Sequence, residues 1–405
     1  MDVQSLVQYG TQKGLSVIGT GDFTHPQWLK ELDDQLEEHS NTCLLKPKRS
    51  LVEKLLFMLT AEICTSFKYE GKPKRIHHLI FTPNFDSAKQ VSEKLAKFGD
   101  LESDGRPIIK LSPPELVEEV KEVSETNVIV PAHIWTPWFS LFGSKSGFDK
   151  IEDCYQDMTK HIFALETGLS SDPPMNWRLS ALDKYTLISN SDSHSPYPYR
   201  IGREANVFDL KEISYREIID SIRLKDKNRF KFTIETHPAY GKYHWTGHRK
   251  CNIMMSPQDS KRLQGVCPVC GRKMTRGVDE RVDEISDRYK GFRPESAIDY
   301  KHLMPLHEII AKSMGIQQIY SPSVWRAFEL LIGRFGDEYT VMLEASKDEI
   351  RLVSNDELAD AIINVREDKI AVIPGYDGVY GKLIFAENNV EEVANNRKFG
   401  LERFM

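Results

Sequence analysis

Histidine and acidic residues recur in this sequence where a short apolar run ends. Asp22 and His25 follow the first run, His133 follows the run Val-Ile-Val, and Asp192 and His194 follow a later one. Imidazole and carboxylate groups are typical ligands of zinc, manganese and iron. A lone histidine at a strand end is more often structural. The repetition favours a site with two or three metals, which activates water and stabilises phosphoester oxygens during cleavage.

Two further candidates lie between these positions. Glu62 occurs in the segment Ala-Glu-Ile, and the doublet His77-His78 opens the run His-His-Leu-Ile-Phe. The most informative pair is Asp192 and His194, because residues two apart in an extended segment point to the same side.

Short apolar runs alternate with helical segments over residues 1–210, which predicts a parallel α/β sheet or barrel. In such folds the chemistry lies at the carboxyl ends of the strands. The predicted strands are 15–20, 78–82, 128–131, 163–166 and 186–189, and the predicted helices are 26–38 and 87–98. Further along, helices are predicted over 309–314 and 323–334, and a hairpin over 369–384.

A second constellation is His248-x-x-Cys251 followed by Cys267-x-x-Cys270, a spacing typical of structural zinc. His248 is the fourth ligand by spacing, and His244 is the second choice. Buried free cysteines are the alternative interpretation. The other three cysteines are scattered, which argues against a disulfide framework and for a reducing compartment.

Positive charge is concentrated around these cysteines. Residues 242–276 contain eight lysines and arginines and one acid, Asp259, although the whole chain has a net charge of −6. This excludes a uniformly basic surface but not a local face for DNA phosphates; a solvated face is the alternative. The aromatic residues nearby either stack on bases or pack on the zinc site: Tyr240, Tyr243, Trp245 and Tyr289. Arg200 and Arg203 are candidates for binding phosphate, and a surface ion pair with Glu204 is the alternative.

Several of these motifs resemble the PHP family, named for polymerase and histidinol phosphatase. They are TGDFTHP, PAHIWTPW, ETGLSSDPPMNWR and SNSDSHSP, and nearly the whole chain is similar to the endonuclease Q nucleases of DNA repair. The resemblance implies a distorted α/β barrel with up to three metals, whether zinc, manganese or magnesium. By resemblance the ligands are Glu62, His77, His133, Asp192 and His194, with Asp22 or His25 from the second motif and with His78 as the alternative to His77. The candidate catalytic residues are Asp192 and His194, together with Arg200 and Arg203, which follow them in sequence.

The resemblance also implies a domain order and an activity. We expect a PHP phosphoesterase domain over 1–225, a zinc-binding module over 236–290 and a mainly helical DNA-binding region over 291–405. The implied activity is metal-dependent nicking of DNA on the 5′ side of an abasic site or a deaminated base (uracil, hypoxanthine or xanthine). The alternatives are a PHP phosphatase for a small phosphate monoester and a non-catalytic DNA-binding protein.

The start of the sequence departs from the family pattern. The family opens with a strand that ends in His-x-His, and no histidine precedes His25 here. We therefore expect the barrel to lack its first strand and two metal ligands, through a misassigned gene start or a weakly active or inactive form. No signal peptide or membrane-spanning run is apparent, which favours a cytoplasmic protein without membrane contact; protein partners stay unknown.

Overall fold

The protein has a mixed α/β fold, seen in a computed structural model that describes residues 2–49, 55–103 and 106–385. The strands are β1 (Val17–Gly19), β2 (Leu36–Glu38), β3 (Leu45–Pro47), β4 (Leu56–Tyr69), β5 (Lys72–Thr82), β6 (Ile108–Ile109), β7 (Val128–Pro131), β8 (Ala164–Glu166), β9 (Thr186–Ile188), β10 (Ala205–Phe208), β11 (Phe230–Glu235), β12 (Thr246–His248), β13 (Ile253–Met255), β14 (Asp299–His302), β15 (Ile370–Ile373) and β16 (Lys382–Phe385). The helices are α1 (Val3–Lys13), α2 (Pro26–Gln35), α3 (Phe85–Leu95), α4 (Pro113–Val123), α5 (Ile151–Tyr155), α6 (Pro173–Asn176), α7 (Tyr215–Arg223), α8 (Pro257–Arg262), α9 (Val278–Ile285), α10 (Leu306–Ser313), α11 (Pro322–Phe335), α12 (Glu338–Leu343), α13 (Lys347–Val353) and α14 (Asp356–Arg366).

The largest sheet is built around a long antiparallel hairpin of β4 and β5. The two turn residues, Glu70 and Gly71, have φ angles of 49° and 76°, and positive φ at both positions is typical of a two-residue hairpin turn. β7 extends the sheet antiparallel to β5, β1 and β6 pair parallel with β4, and β2 and β3 complete it. The expectation of a parallel sheet was therefore wrong at its centre, where β4, β5 and β7 pair antiparallel.

The remaining predicted elements agree more closely with the structure. β1, β7, β8 and β9 overlap the predicted strands, and β8 and β9 form a separate parallel pair. Helix α2 ends at Gln35, earlier than predicted, because Leu36 turns into β2 and is buried against the sheet. Across the described ranges, the hydrogen-bonded ladders do not close into one continuous barrel, so the barrel stays a prediction.

The second half of the chain adds a mixed sheet and a helical region. β10, β11 and β14 form a three-stranded sheet that joins segments from before and after the cysteines. Helices α10–α14 surround a core of their own, and the predicted hairpin is confirmed as β15 and β16. Residues 386–405 of the predicted C-terminal region lie outside the described residues, and the domain bounds stay predictions. None of the described helices combines the length and the apolar character needed to cross a bilayer.

A buried ion pair joins the first helix to the C-terminal helices. Lys13 Nζ lies 2.6 Å from Glu338 Oε1, and their side chains are 1% and 2% exposed. Lys13 also donates to the carbonyl of Pro198, and Glu338 accepts from the backbone N–H of Leu306. The pair therefore fixes α1 against α12.

We expect Lys13→Met to destabilise the protein by about 3–5 kcal/mol, because it leaves the Glu338 carboxylate buried without its cation. Urea unfolding followed by circular dichroism measures the loss. The double variant Lys13→Met with Glu338→Gln is expected to recover part of that stability, since it removes the unpaired charge. A single variant as stable as the wild type would contradict this account of the pair.

Candidate metal centre

Three potential ligand atoms converge at the centre of the large sheet. Glu62 Oε1 lies 2.7 Å from His77 Nδ1 and 3.0 Å from His133 Nε2, and the two nitrogens are 3.1 Å apart. In a tetrahedral site with bonds of about 2.0 Å, neighbouring ligand atoms are about 3.3 Å apart. The donor types and their spacing therefore fit a divalent metal.

The β4–β5 register explains why Glu62 and His77 meet. Glu62 pairs with Leu79, and His77, two residues before Leu79, points to the same face. His78 points to the other face, where it hydrogen bonds to Thr65 Oγ1 at 2.9 Å and to the hydroxyl of Tyr155 at 2.7 Å. Both ring nitrogens of His78 are therefore engaged away from the cluster, so the structure brings His77 rather than His78 to the candidate site.

We expect the two histidines of the doublet to respond differently to substitution. His78→Leu leaves the hydroxyls of Thr65 and Tyr155 without the imidazole and should cost about 1–3 kcal/mol of stability. Its affinity for Mn²⁺ should stay at the wild-type value, whereas His77→Leu should weaken Mn²⁺ binding at least about tenfold. Urea unfolding and Mn²⁺ titration calorimetry on both variants check this. The reverse pattern would place His78 at the metal.

Charge shapes the protonation of this cluster. Burial disfavours the Glu62 carboxylate, but hydrogen bonds from His133 and His77 outweigh it and hold the pKa of Glu62 well below its usual range. Burial likewise lowers the pKa of His133, but the hydrogen bond and the charge of Glu62 raise it to about 8. Burial lowers the pKa of His77. The carboxylate is therefore ionised at neutral pH and available as a ligand.

His133 is held in a strained backbone conformation by its surroundings. Its φ is 30°, and its backbone N–H donates to Glu166 Oε2 at 2.7 Å. A side chain at Gly168 would come within 2.5 Å of the His133 Cβ, so only glycine fits beside it. Burial raises the pKa of Glu166 to about 7. Such strain persists only where the surroundings fix the residue, and it is typical of functional sites.

Asp192 and His194 form a second group on the other side of Glu62, and an arginine joins them to it. Arg106 Nε lies 3.0 Å from Glu62 Oε2, and Arg106 Nη2 lies 2.5 Å from Asp192 Oδ1 and 3.2 Å from His194 Nε2. One oxygen of Glu62 therefore faces His77 and His133, and the other faces Arg106. Burial and the charge of Glu62 raise the pKa of nearby Asp22 to about 6.

Sequence reasoning missed Arg106. It reaches the site because β6 pairs in parallel with Cys64 and Thr65 of β4, and the carbonyl of Pro107 accepts from the backbone N–H of Cys64. Glu62 lies two residues from Cys64 on the same strand. No spacing rule marks such an arginine, since its position depends on a long-range strand pairing.

The other candidates lie around this centre. His25 occupies the N-cap position of α2, outside the group formed by Glu62, His77 and His133. Arg203 donates to the carbonyl of Ser191, next to Asp192, and so anchors that loop instead of pairing with Glu204. The Arg200 guanidinium lies over the ring of Tyr199. Roles of these residues in metal or phosphate binding stay predictions, as does the expected lack of two ligands.

The Cys and His residues of the second constellation also come together. His248, Cys251, Cys267 and Cys270 each offer a ligand atom within 4.8 Å of the others, and His248 Nδ1 lies 3.4 Å from Cys270 Sγ. Gly271 has a φ of 70°, and its N–H donates to the carbonyl of Cys267, which forms the turn between the two cysteines. His244 is half-buried and lies outside this group, so the geometry favours His248.

The aromatic residues near this group differ in their surroundings. Tyr240 donates to Glu308 Oε2, and Tyr243 packs edge-on against Trp138. Tyr289 is 73% exposed. The first two thus have contacts within the protein, and base stacking by any of these residues stays a prediction.

Comparison with solved structures identifies the family. The fold is similar to the crystal structure of the lesion-specific endonuclease PfuEndoQ from Pyrococcus furiosus, with a TM-score of 0.83 and 31% identity over 98% of this chain and 94% of that one. The chain belongs to the endonuclease Q family. A second structure of endonuclease Q, in complex with a 27-mer duplex substrate carrying an abasic lesion at the active site, also matches with a TM-score of 0.83, at 32% identity over 96% and 92% of the chains. The resemblance of the motifs to endonuclease Q is thus confirmed.

Curated relatives are themselves uncharacterised. The chain is 34% identical over 265 residues to protein MJ0043 of Methanocaldococcus jannaschii, of which it spans about a third (32%). It is 26% identical over 396 residues to YqxK of Bacillus subtilis, covering 93% of this chain and 91% of YqxK. Residues 305–369, which contain α10–α14, match the family described as the MJ0043 C-terminal domain.

Proposed function

We propose that this chain is a metal-dependent DNA repair endonuclease that nicks a strand on the 5′ side of an abasic site or a deaminated base. The observation that carries the proposal is the convergence of Glu62, His77 and His133 in a fold similar to a lesion-specific endonuclease. The abasic-lesion duplex bound by an endonuclease Q neighbour supports DNA as the substrate.

Two sets of side chains would hold divalent metals. Glu62, His77 and His133 form the first set. Asp192 and His194, whose Oδ1 and Nε2 atoms are 3.5 Å apart, would form the other with the second oxygen of Glu62, which faces them across Arg106. A metal bound there lowers the pKa of a water molecule and polarises the scissile phosphate. Zinc, manganese and magnesium are the candidate ions.

The chain's own residues position these ligands and the DNA. Glu166 fixes the backbone of His133, and Arg203 fixes the loop that carries Asp192. The Cys and His group would hold a structural zinc and so order the segment that carries the exposed cations. These cations are proposed to bind DNA phosphates: Arg249, Lys250, Arg272 and Lys273.

A nicking assay with four substrates tests the function. With Mn²⁺ present, we expect cleavage of labelled duplexes that carry one abasic site or one deoxyuridine. No cleavage is expected with an undamaged duplex or with p-nitrophenyl phosphate. Release of nitrophenol without nicking would favour the phosphatase alternative. DNA binding without cleavage of any substrate would favour the non-catalytic alternative.

A further inference from the structure

The guanidinium of Arg106 contacts three side chains whose atoms are of the types that bind divalent metals. It lies next to Glu62 Oε2, Asp192 Oδ1 and His194 Nε2, at 3.0, 2.5 and 3.2 Å. Arg106 can only donate, so its contact with His194 is a hydrogen bond only when Nε2 accepts through its lone pair, which is the group that a metal uses. The side chain therefore lies between Glu62 and the pair of Asp192 and His194, whose Oδ1 and Nε2 atoms are 3.5 Å apart.

The hydrogen bonding of the Arg106 guanidinium is incomplete. Its Nε is buried and, although close to Glu62 Oε2, has no partner that meets hydrogen-bond geometry. The side chain is 30% exposed, and that of His194 is 65% exposed, so both lie at the mouth of the site. Arg106 can thus leave its carboxylates toward the opening without crossing the protein core.

The Arg106 guanidinium can pair with two kinds of anion, the carboxylates of the protein or a phosphate. In the chain alone, Arg106 offsets the repulsion between the Glu62 and Asp192 carboxylates. A divalent ion bound between these carboxylates would offset their repulsion with twice the charge of Arg106. The guanidinium would then have no carboxylate partner. Its planar fork matches a phosphate, which it can bind through two hydrogen bonds.

We propose that Arg106 exchanges partners: a divalent metal replaces it on Glu62, Asp192 and His194, and the freed guanidinium binds a phosphate of the DNA strand. This proposal rests on the proposed metal-dependent nuclease function. It makes Arg106 a substrate-contacting residue and also a competitor of the metal.

The first test is the affinity for Mn²⁺, measured by titration calorimetry without DNA. Mn²⁺ prefers carboxylates and imidazoles over the thiolates of the Cys and His group. We expect Arg106→Gln to bind Mn²⁺ about tenfold more tightly than the wild type, because the competing charge is gone. Arg106→Lys keeps the charge and should stay within about threefold of the wild type. Tighter Mn²⁺ binding by Arg106→Lys, by about tenfold or more, would show that the charge is not what competes with the metal.

The matched control is Arg288→Gln. Arg288 forms a two-bond ion pair with Asp183, away from the cluster. Its loss should leave the Mn²⁺ affinity unchanged.

The second test is the kinetics of nicking at saturating Mn²⁺ on a duplex with one abasic site. We expect Arg106→Gln to raise KM about tenfold, since one phosphate contact is lost, while Arg288→Gln keeps the wild-type KM. An unchanged Mn²⁺ affinity in Arg106→Gln would overturn the competition, and an unchanged KM would overturn the phosphate contact. If neither the wild type nor any variant binds Mn²⁺, the proposed metal site fails together with this inference. If the wild type and Arg106→Gln bind Mn²⁺ equally, only the inference fails, and the proposed nuclease function stands.

Discussion

Glu62→Gln is expected to reduce the rate of DNA nicking by about 10³-fold or more, the effect of losing several kcal/mol of stabilisation by a metal. Glutamine keeps the size of the side chain but loses the charge that faces His77 and His133 on one side and Arg106 on the other. Both proposed ligand sets share this carboxylate, so one substitution weakens both. Single-turnover nicking of an abasic-site duplex in Mn²⁺ measures the loss.

The control for this prediction is Glu119→Gln. Glu119 also pairs with a cation, Lys94, but on the surface and away from the cluster. We expect it to nick at the wild-type rate. Circular dichroism should show that both variants are folded. Nicking by Glu62→Gln at the rate of Glu119→Gln would mean that the carboxylate has no part in the reaction.

Cys267→Ser is expected to remove the zinc from the second constellation and unfold the segment around it. Cys267 is 1% exposed and belongs to a small apolar cluster with Ile253, Met255 and Met274. Such a cluster is too small to fold alone, and structural zinc contributes about 10 kcal/mol or more to domains of this kind. Elemental analysis should find one zinc fewer per chain, and amide hydrogens near the four ligands should exchange faster.

Cys154→Ser is the matched control, because Cys154 is also buried but lies outside both metal groups. It should lose some stability from the buried hydroxyl, about 1–3 kcal/mol, and keep its zinc. Equal zinc content in Cys267→Ser and Cys154→Ser would contradict the structural zinc site. Mn²⁺ binding at the Glu62 cluster should be intact in both variants, since the two groups are separate.

Local patterns predicted the parts of the site that depend on local geometry. The Cys-x-x-Cys spacing indicated its group because four ligands within two short segments can meet whatever the rest of the fold. The apolar runs before His133 and Asp192 indicated strand ends, because a short apolar run is itself a local signal of a buried strand. The choice between His244 and His248 needed the structure, because it depends on how β12 and β13 pair.

Pairing between strands distant in sequence determines the parts of the site that local patterns did not predict. No strand was predicted from the sequence over residues 56–69, and the turn of the β4–β5 hairpin, Glu70-Gly71, carries none of the stronger hairpin signals such as Asn-Gly. That hairpin sets the register that selects His77 over His78. Arg106 arrives through a two-residue strand, β6, whose partner is more than 40 residues away in sequence. Neither feature leaves a periodic trace in the chain.

Anomalous diffraction at the manganese edge, from crystals of the full chain soaked in Mn²⁺, tests the central claim most directly. We predict a peak within bonding distance of Glu62 Oε1, His77 and His133, and displacement of the Arg106 guanidinium if a second peak lies beside Asp192. The Cys and His group should give no manganese peak. Manganese bound elsewhere, with Glu62, His77 and His133 still in contact only with one another, would contradict the account.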